Sequence, residues 1–185
     1  SLRGQEAVSL REWIGEENRR LGVMMKFRLK SILHSERSDY YEILVADTEP
    51  LGRILMFGEK QGYTIQTAEL YDFYDEMLAH VPMAAHPEPK KILVIGGGDG
   101  VVLREILKYP SVERVLMVEI DPAVVRVSKE YLRLDEGALD DERVQIVYDD
   151  AAKYVMRLDE RFDIVIGDYS CLLYTSDAAD DGESV

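Results

Sequence analysis

The second half of the chain alternates four short apolar runs with stretches of helical periodicity, and this pattern constrains the fold more than any other feature. Ile92-Leu-Val-Ile95 carries no polar residue, as expected of a parallel strand buried on both faces. Val101 to Lys108 has helical spacing, Val115 to Ile120 reads as a strand, and Ala123 to Leu132 as a helix. Val144 to Tyr148 is a third strand, Ala151 to Arg157 a helix, and Phe162 to Ile166 a fourth strand. Such alternation implies right-handed βαβ units and a doubly wound α/β sheet.

Residues 23–66 have a different period. Lys26 to Leu33, Tyr41 to Ala46 and Gly52 to Phe57 alternate or run apolar as short strands, separated by turn chemistry at Ser35–Asp39, Asp47–Pro50 and Gly58–Gly62. This predicts a small N-terminal antiparallel β-domain. Residues 1–22 read as a polar arm around Trp13. Residues 67–89 read as a helix and linker. The helix is placed over Glu69–Val81, with Leu70, Phe73, Tyr74, Met77 and Leu78 on its apolar face and Pro82 closing it. The doubly wound α/β domain then spans 90–170.

Composition removes several classes of function. With 36 acids against 22 bases, a net charge of −14 speaks against nucleic acid or an anionic membrane as partner. One Cys and three scattered His exclude a disulfide framework and a Cys/His zinc site. No apolar run is long enough to span a membrane, and a cytoplasmic location is expected. An acidic protein suits cationic substrates.

After the fourth strand the text changes character. Residues 171–185, beginning Cys171-Leu-Leu-Tyr-Thr-Ser-Asp-Ala-Ala-Asp-Asp181, read as the translation of a sequencing-library adapter. The fold is therefore expected to be truncated after its fourth strand. That leaves an apolar edge, and the piece is expected to be poorly soluble and inactive.

In an open α/β sheet the ligand sits beyond the carboxyl ends of the strands. Gly96-Gly97-Gly98-Asp99-Gly100 follows the first strand and leads into a helix, where glycines allow a tight turn and close approach to a ligand. Glu119 ends the second strand, where a carboxylate can take two ribose hydroxyls. Asp150 ends the third strand, where an adenine amino group could be held, and Asp168 ends the fourth. The glycine turn with Glu119 fits a dinucleotide or an S-adenosyl ligand equally well. Asp99 inside the turn would repel a pyrophosphate and would welcome a sulfonium nucleoside with a free amine and no carboxylate.

Ile92 to Gly100, Leu103-Arg-Glu105, Val118-Glu-Ile-Asp121 and Phe162-Asp-Ile-Val-Ile-Gly-Asp168 together resemble the spermidine synthases, the polyamine aminopropyltransferases. Glu76 to Pro82, His86-Pro87, Ser38-Asp39-Tyr40 and Gly52-Arg53 add to the likeness, which spans about residues 23–168. The resemblance implies a methyltransferase-like Rossmann domain behind an N-terminal β-domain that assembles homodimers or homotetramers. It implies decarboxylated S-adenosylmethionine as co-substrate, with no prosthetic group and no metal. A diamine such as putrescine would be the acceptor, and spermidine and methylthioadenosine the products.

By that likeness Gly96, Gly97, Gly98 and Gly100 cradle the donor, and Asp99 takes its aminopropyl nitrogen. Glu119 holds the ribose, and Asp150 with the Ala151 backbone holds the adenine. Tyr74 and Tyr41 face the acceptor, and Asp168 removes the proton of the attacking amine. The departures fall on the acceptor side. Ser38-Asp39-Tyr40-Tyr41 stands where the family has Ser-x-Tyr-Gln, and Tyr74-Asp75-Glu76 where it has Tyr-His-Glu. Cys171 and Leu172 occupy the places of the second acid and the Pro in Asp-x-x-Asp-Pro. Two rivals share the fold: an S-adenosylmethionine-dependent methyltransferase, disfavoured by Asp99, and a non-catalytic oligomeric binding subunit.

Overall fold

The computed structural model describes residues 13–18, 22–59 and 62–169, so the adapter-like tail lies outside the described residues. In the N-terminal part five strands pair in sequence order: β1 (Trp13–Asn18), β2 (Val23–Arg37), β3 (Glu42–Thr48), β4 (Gly52–Glu59) and β5 (Gly62–Ala68). All pairs are antiparallel. Trp13–Asn18, expected to lie in a polar arm, instead pairs with the first half of the long β2, Trp13 opposite Arg28. The second half of β2 pairs with β3 through two register shifts, and a third interrupts β4–β5. Such irregularities bend strands and raise their twist. The sheet curls until the carboxyl of Glu16 on β1 accepts a hydrogen bond from the Ile65 backbone on β5.

β3 and β4 are covered on both faces. Leu44, Ala46, Ile54 and Met56 pack inside the curl, while Ile43, Val45 and Leu55 pack on Val124, Val127 and Leu132 of the second domain. This explains the unbroken apolar run 43–46.

The second domain contains α1 (Phe73–Ala85), β6 (Lys91–Gly96), α2 (Val101–Ile106), β7 (Arg114–Glu119) and α3 (Pro122–Val127), which continues through a π turn over Ser128–Leu132. β8 (Val144–Tyr148), α4 (Ala151–Met156) and β9 (Ile164–Asp168) follow. The four strands are parallel in the order β8-β7-β6-β9. α1 and α2 cover one face through Ala79, Met83, Val102 and Leu103. Tyr154, Leu158 and Phe162 cover the other, on Leu93, Leu116 and Val118. The expected doubly wound sheet is present. The chain proceeds outward from β6 to β8 and then returns to the opposite side of β6, so the topological switch lies between β6 and β9. Among the described residues no helix is long and apolar enough to cross a membrane.

Helix α1 differs from its expected form. Glu69 and Leu70 remain paired with Arg53 and Leu51 in a turn, so the helix starts later, at Phe73. It also runs through Pro82 to Ala85, because a proline in the last turn sacrifices only the donor to Leu78, and its own carbonyl still accepts from His86 N–H at 3.3 Å. The face is different as well. Asp75, Ala79 and Met83 are buried, whereas Leu70, Phe73, Tyr74 and Met77 are more than half exposed. Small Ala79 admits the close approach of α2.

The domains are joined by polar contacts as well as by the apolar layer. Asp121, 2% exposed, caps α3 by accepting from Ala123 N–H at 2.9 Å, and its other oxygen accepts from Ser38 Oγ at 2.5 Å. Arg53 Nη1 donates to the Leu132 carbonyl at 3.1 Å. Asp121→Ala removes a helix cap and a buried interdomain bond at once, and should cost about 2–3 kcal/mol in urea unfolding.

Candidate active site

The carboxyl ends of β6, β7, β8 and β9 face the N-terminal sheet across a cavity of about 1070 Å³. Each strand contributes as its position dictates. After β6 the backbone turns through Gly96 and Gly97, with φ of 80° and 79°. A Cβ on Gly96 would lie 2.0 Å from the Asp168 carbonyl oxygen, and one on Gly98 would lie 2.8 Å from Glu119 Oε2. Glycine is required here because neighbouring strand ends occupy the space a side chain would need. Gly97 N–H donates to the Asp168 carbonyl at 3.1 Å, closing the floor at the switch point.

Asp99 is 8% exposed and both its oxygens are engaged: Val101 N–H donates to Oδ1 at 2.9 Å, and Thr67 Oγ1 of β5 donates to Oδ2. Burial pushes its carboxyl up, against the pull of these two donors. Glu119 is also buried, which raises its pKa, while Gly98 N–H (3.1 Å) and Asp121 N–H (3.0 Å) favour its charged form. Asp150 has a structural duty in addition to lining the cavity. Its Oδ1 caps α4, accepting from Ala152 N–H at 2.9 Å and Lys153 N–H at 3.3 Å. Ala151, Tyr74 and Tyr41 line the same cavity, and Tyr41 stacks on Phe57 with ring centroids 4.4 Å apart. Asp168, at the end of β9, is desolvated and faces Asp99, Asp75 and Glu119, which raises its pKa well above the ordinary value.

Thus Gly96, Gly97, Gly98, Asp99, Glu119, Asp150, Ala151, Asp168, Tyr74 and Tyr41 converge on one cavity. Gly100 does not line it. Its φ of 80° starts α2, and a Cβ there would meet Asp135 at 2.6 Å. Sequence reasoning missed Thr67, which belongs to the β-domain yet holds Asp99, and it missed Asp75. Asp75 is 4% exposed, and its carboxylate lies with those of Asp99 and Asp168 so that one oxygen from each falls within 4.8 Å of the others. Three such groups make an environment for positive charge. His80, outside the cavity, bridges Tyr109 and buried Glu105.

Comparisons with known proteins place the chain in a family. The spermine/spermidine synthase domain matches residues 71–176, and the spermidine synthase tetramerisation domain matches residues 12–69. The chain belongs to the spermine/spermidine synthase family. Among members of this family, the polyamine aminopropyltransferase of Moorella thermoacetica is 46% identical over 142 residues, covering 76% of this chain and 49% of that protein. A polyamine aminopropyltransferase of a Thermoanaerobacter species is 44% identical over 153 residues, covering 82% of this chain and 54% of that protein. The crystal structure of spermidine synthase from Thermotoga maritima superposes with a TM-score of 0.78 at 37% identity, covering 84% of this chain and 54% of that one. A spermidine synthase in complex with the transition state analogue AdoDATO gives 0.79 at 36% identity, covering 85% and 53%. The chain therefore spans about half the length of the spermidine synthase family members it matches.

Proposed function

We propose that this chain carries the donor-binding and transfer face of an aminopropyltransferase. In this reading it moves the aminopropyl group of decarboxylated S-adenosylmethionine onto a diamine such as putrescine, giving spermidine and methylthioadenosine. The observation that carries the reading is Asp99: a buried carboxylate inside the glycine turn, fixed at both oxygens and facing the same cavity as Asp168. The likeness to a spermidine synthase bound to AdoDATO supports it.

Gly96–Gly98 let the donor approach the backbone, Glu119 takes the ribose hydroxyls, and Asp150 with the Ala151 backbone takes the adenine. Asp99 pairs with the donor's ammonium. An acceptor ammonium, with a pKa near 10, must lose a proton before its nitrogen can attack. Asp168 takes that proton, and Tyr74 and Tyr41 wall the acceptor. The nitrogen lone pair then forms a bond to the carbon beside sulfur. The carbon–sulfur bond breaks, and its electrons neutralise the sulfonium as a thioether. The tetramerisation-domain match supports assembly as a homodimer or homotetramer, and the spermine/spermidine synthase domain match supports a polyamine as the small-molecule partner.

Donor choice tests the reading by calorimetry. Decarboxylated S-adenosylmethionine should bind roughly 30-fold or more tightly than S-adenosylmethionine, whose carboxylate would face Asp99, since like charges a few ångströms apart repel by several kcal/mol at an effective dielectric near 20. Asp99→Asn should abolish most of that preference. Equal affinity for the two donors in the parent chain would overturn the reading and favour methyl transfer.

A further inference from the structure

Asp75 occupies an unusual place for an acid. It sits on the buried face of α1, lines the cavity, and has no side-chain hydrogen-bond partner among the described residues; its carboxylate accepts only from its own backbone N–H. Asp99, by contrast, has two donors. The charged and titratable groups facing Asp75 come from every neighbouring element. Asp72 and Tyr74 lie on or beside α1, Arg104 on α2, Asp99 in the glycine turn and Asp168 on β9. Asp135 adds to the field on Asp99, and Glu119 to that on Asp168. Arg104 is the opposing positive charge, and it is already bound to Asp72 at 3.0 Å and to Glu105 at 2.8 Å. Three desolvated carboxylates this close cannot all be ionised without a cation between them.

We propose that Asp75, Asp99 and Asp168 form a proton store that the substrate empties: the cluster holds protons while the cavity is vacant and releases them when a cationic amine enters. The inference rests on the cavity taking a cationic amine. Asp75 makes the store possible, because its charge opposes ionisation of Asp168 until an ammonium screens both. The base that receives the acceptor's proton is thereby ionised only when a cation is present. Asp99 accepts from Thr67 and Val101, which favour its charged form against the burial that raises it. Burial first, and Asp99 second, push Asp75 up to about 7, which agrees with this arrangement.

The test is a pH titration of the chain carrying ¹³C-labelled aspartate carboxyls, with Asp75→Asn and Asp168→Asn for assignment, in the absence and presence of saturating putrescine. In the empty chain Asp75 should titrate near 7 and Asp168 well above the ordinary carboxylate range. Putrescine should lower the cluster's midpoints by about 1–3 units, as an opposite charge within a few ångströms does. Asp75→Asn should lower the Asp168 midpoint without ligand.

Thermal melting gives a second readout. The unfolded chain loses these protons near pH 4 and the folded cluster retains them, so folding is favoured at low pH and weakens as pH rises toward the folded values. The empty chain's Tm should fall between pH 5 and 8, and Asp75→Asn should flatten that fall.

Ordinary midpoints for all three acids would overturn the proposal. So would saturating putrescine that shifts resonances around the cavity yet leaves the cluster's midpoints in place, and so would a shift produced by Mn²⁺ but not by the diamine. If putrescine shifts no resonance in the chain, the amine reading itself fails, and the release proposed here fails with it.

Discussion

Gly96→Ala is expected to cost about 3–5 kcal/mol of stability, enough to leave much of the protein unfolded at 37 °C. Two effects add at this position. The residue sits at φ 80°, where an L side chain loses about 1–2 kcal/mol. The added Cβ would also stand 2.0 Å from the Asp168 carbonyl oxygen, and backbone on both sides leaves neither atom free to move aside. Relief would require β6 and β9 to separate, breaking the Gly97 N–H bond to that same carbonyl. Gly137→Ala is the control. Its φ is 88° but nothing lies within 4 Å of a Cβ there, so only the conformational cost of about 1 kcal/mol should appear. Urea unfolding of the two variants separates crowding from conformation; equal losses would show that the β6–β9 contact is looser than described.

Asp168→Asn should slow aminopropyl transfer by about two to four orders of magnitude, the usual worth of a positioned base. The amide preserves shape but cannot take a proton from the acceptor. The assay follows methylthioadenosine formed from decarboxylated S-adenosylmethionine and putrescine. It is best done in a chimera that supplies the remainder of the Moorella enzyme, since the present chain spans about half of that relative. Affinity for methylthioadenosine should change by less than about threefold, because the contacts proposed for the nucleoside lie at the ends of β6, β7 and β8 and lack a developing charge. A rate loss below tenfold would remove Asp168 from the role of base.

The α/β domain and most of the cavity were readable from sequence because the signals are local. Continuous apolar runs marked buried parallel strands, and an acid or glycine within two residues of each run's end marked a strand end facing the cavity. Helix α1 was read on the wrong face. Its apolar spacing through Phe73, Tyr74 and Met77 pointed one way, while the small side chain of Ala79 allowed tight packing on α2 and drew Asp75 inward with it. Periodicity measures hydrophobicity and is blind to how closely two helices can approach. Thr67 was missed for a related reason: its partner Asp99 lies in another domain, and no pattern within β5 announces the contact. β1 escaped notice because Trp13–Asn18 has too few apolar residues to read as a strand; its pairing with the long β2 creates it.

The return of β9 to the far side of β6 also sets when the site can exist. Gly96 and Asp168 are register partners, yet they bracket nearly the whole parallel sheet in sequence. During synthesis the glycine turn emerges first, and the carbonyl that closes its floor arrives only after β7, β8 and the three intervening helices α2, α3 and α4. At roughly 5–20 residues per second, that interval lasts several seconds. The nascent chain therefore passes through a period with an open, strongly acidic half-site, and β6, the first strand of the parallel sheet to be synthesised, stays without one neighbour until β9 is made.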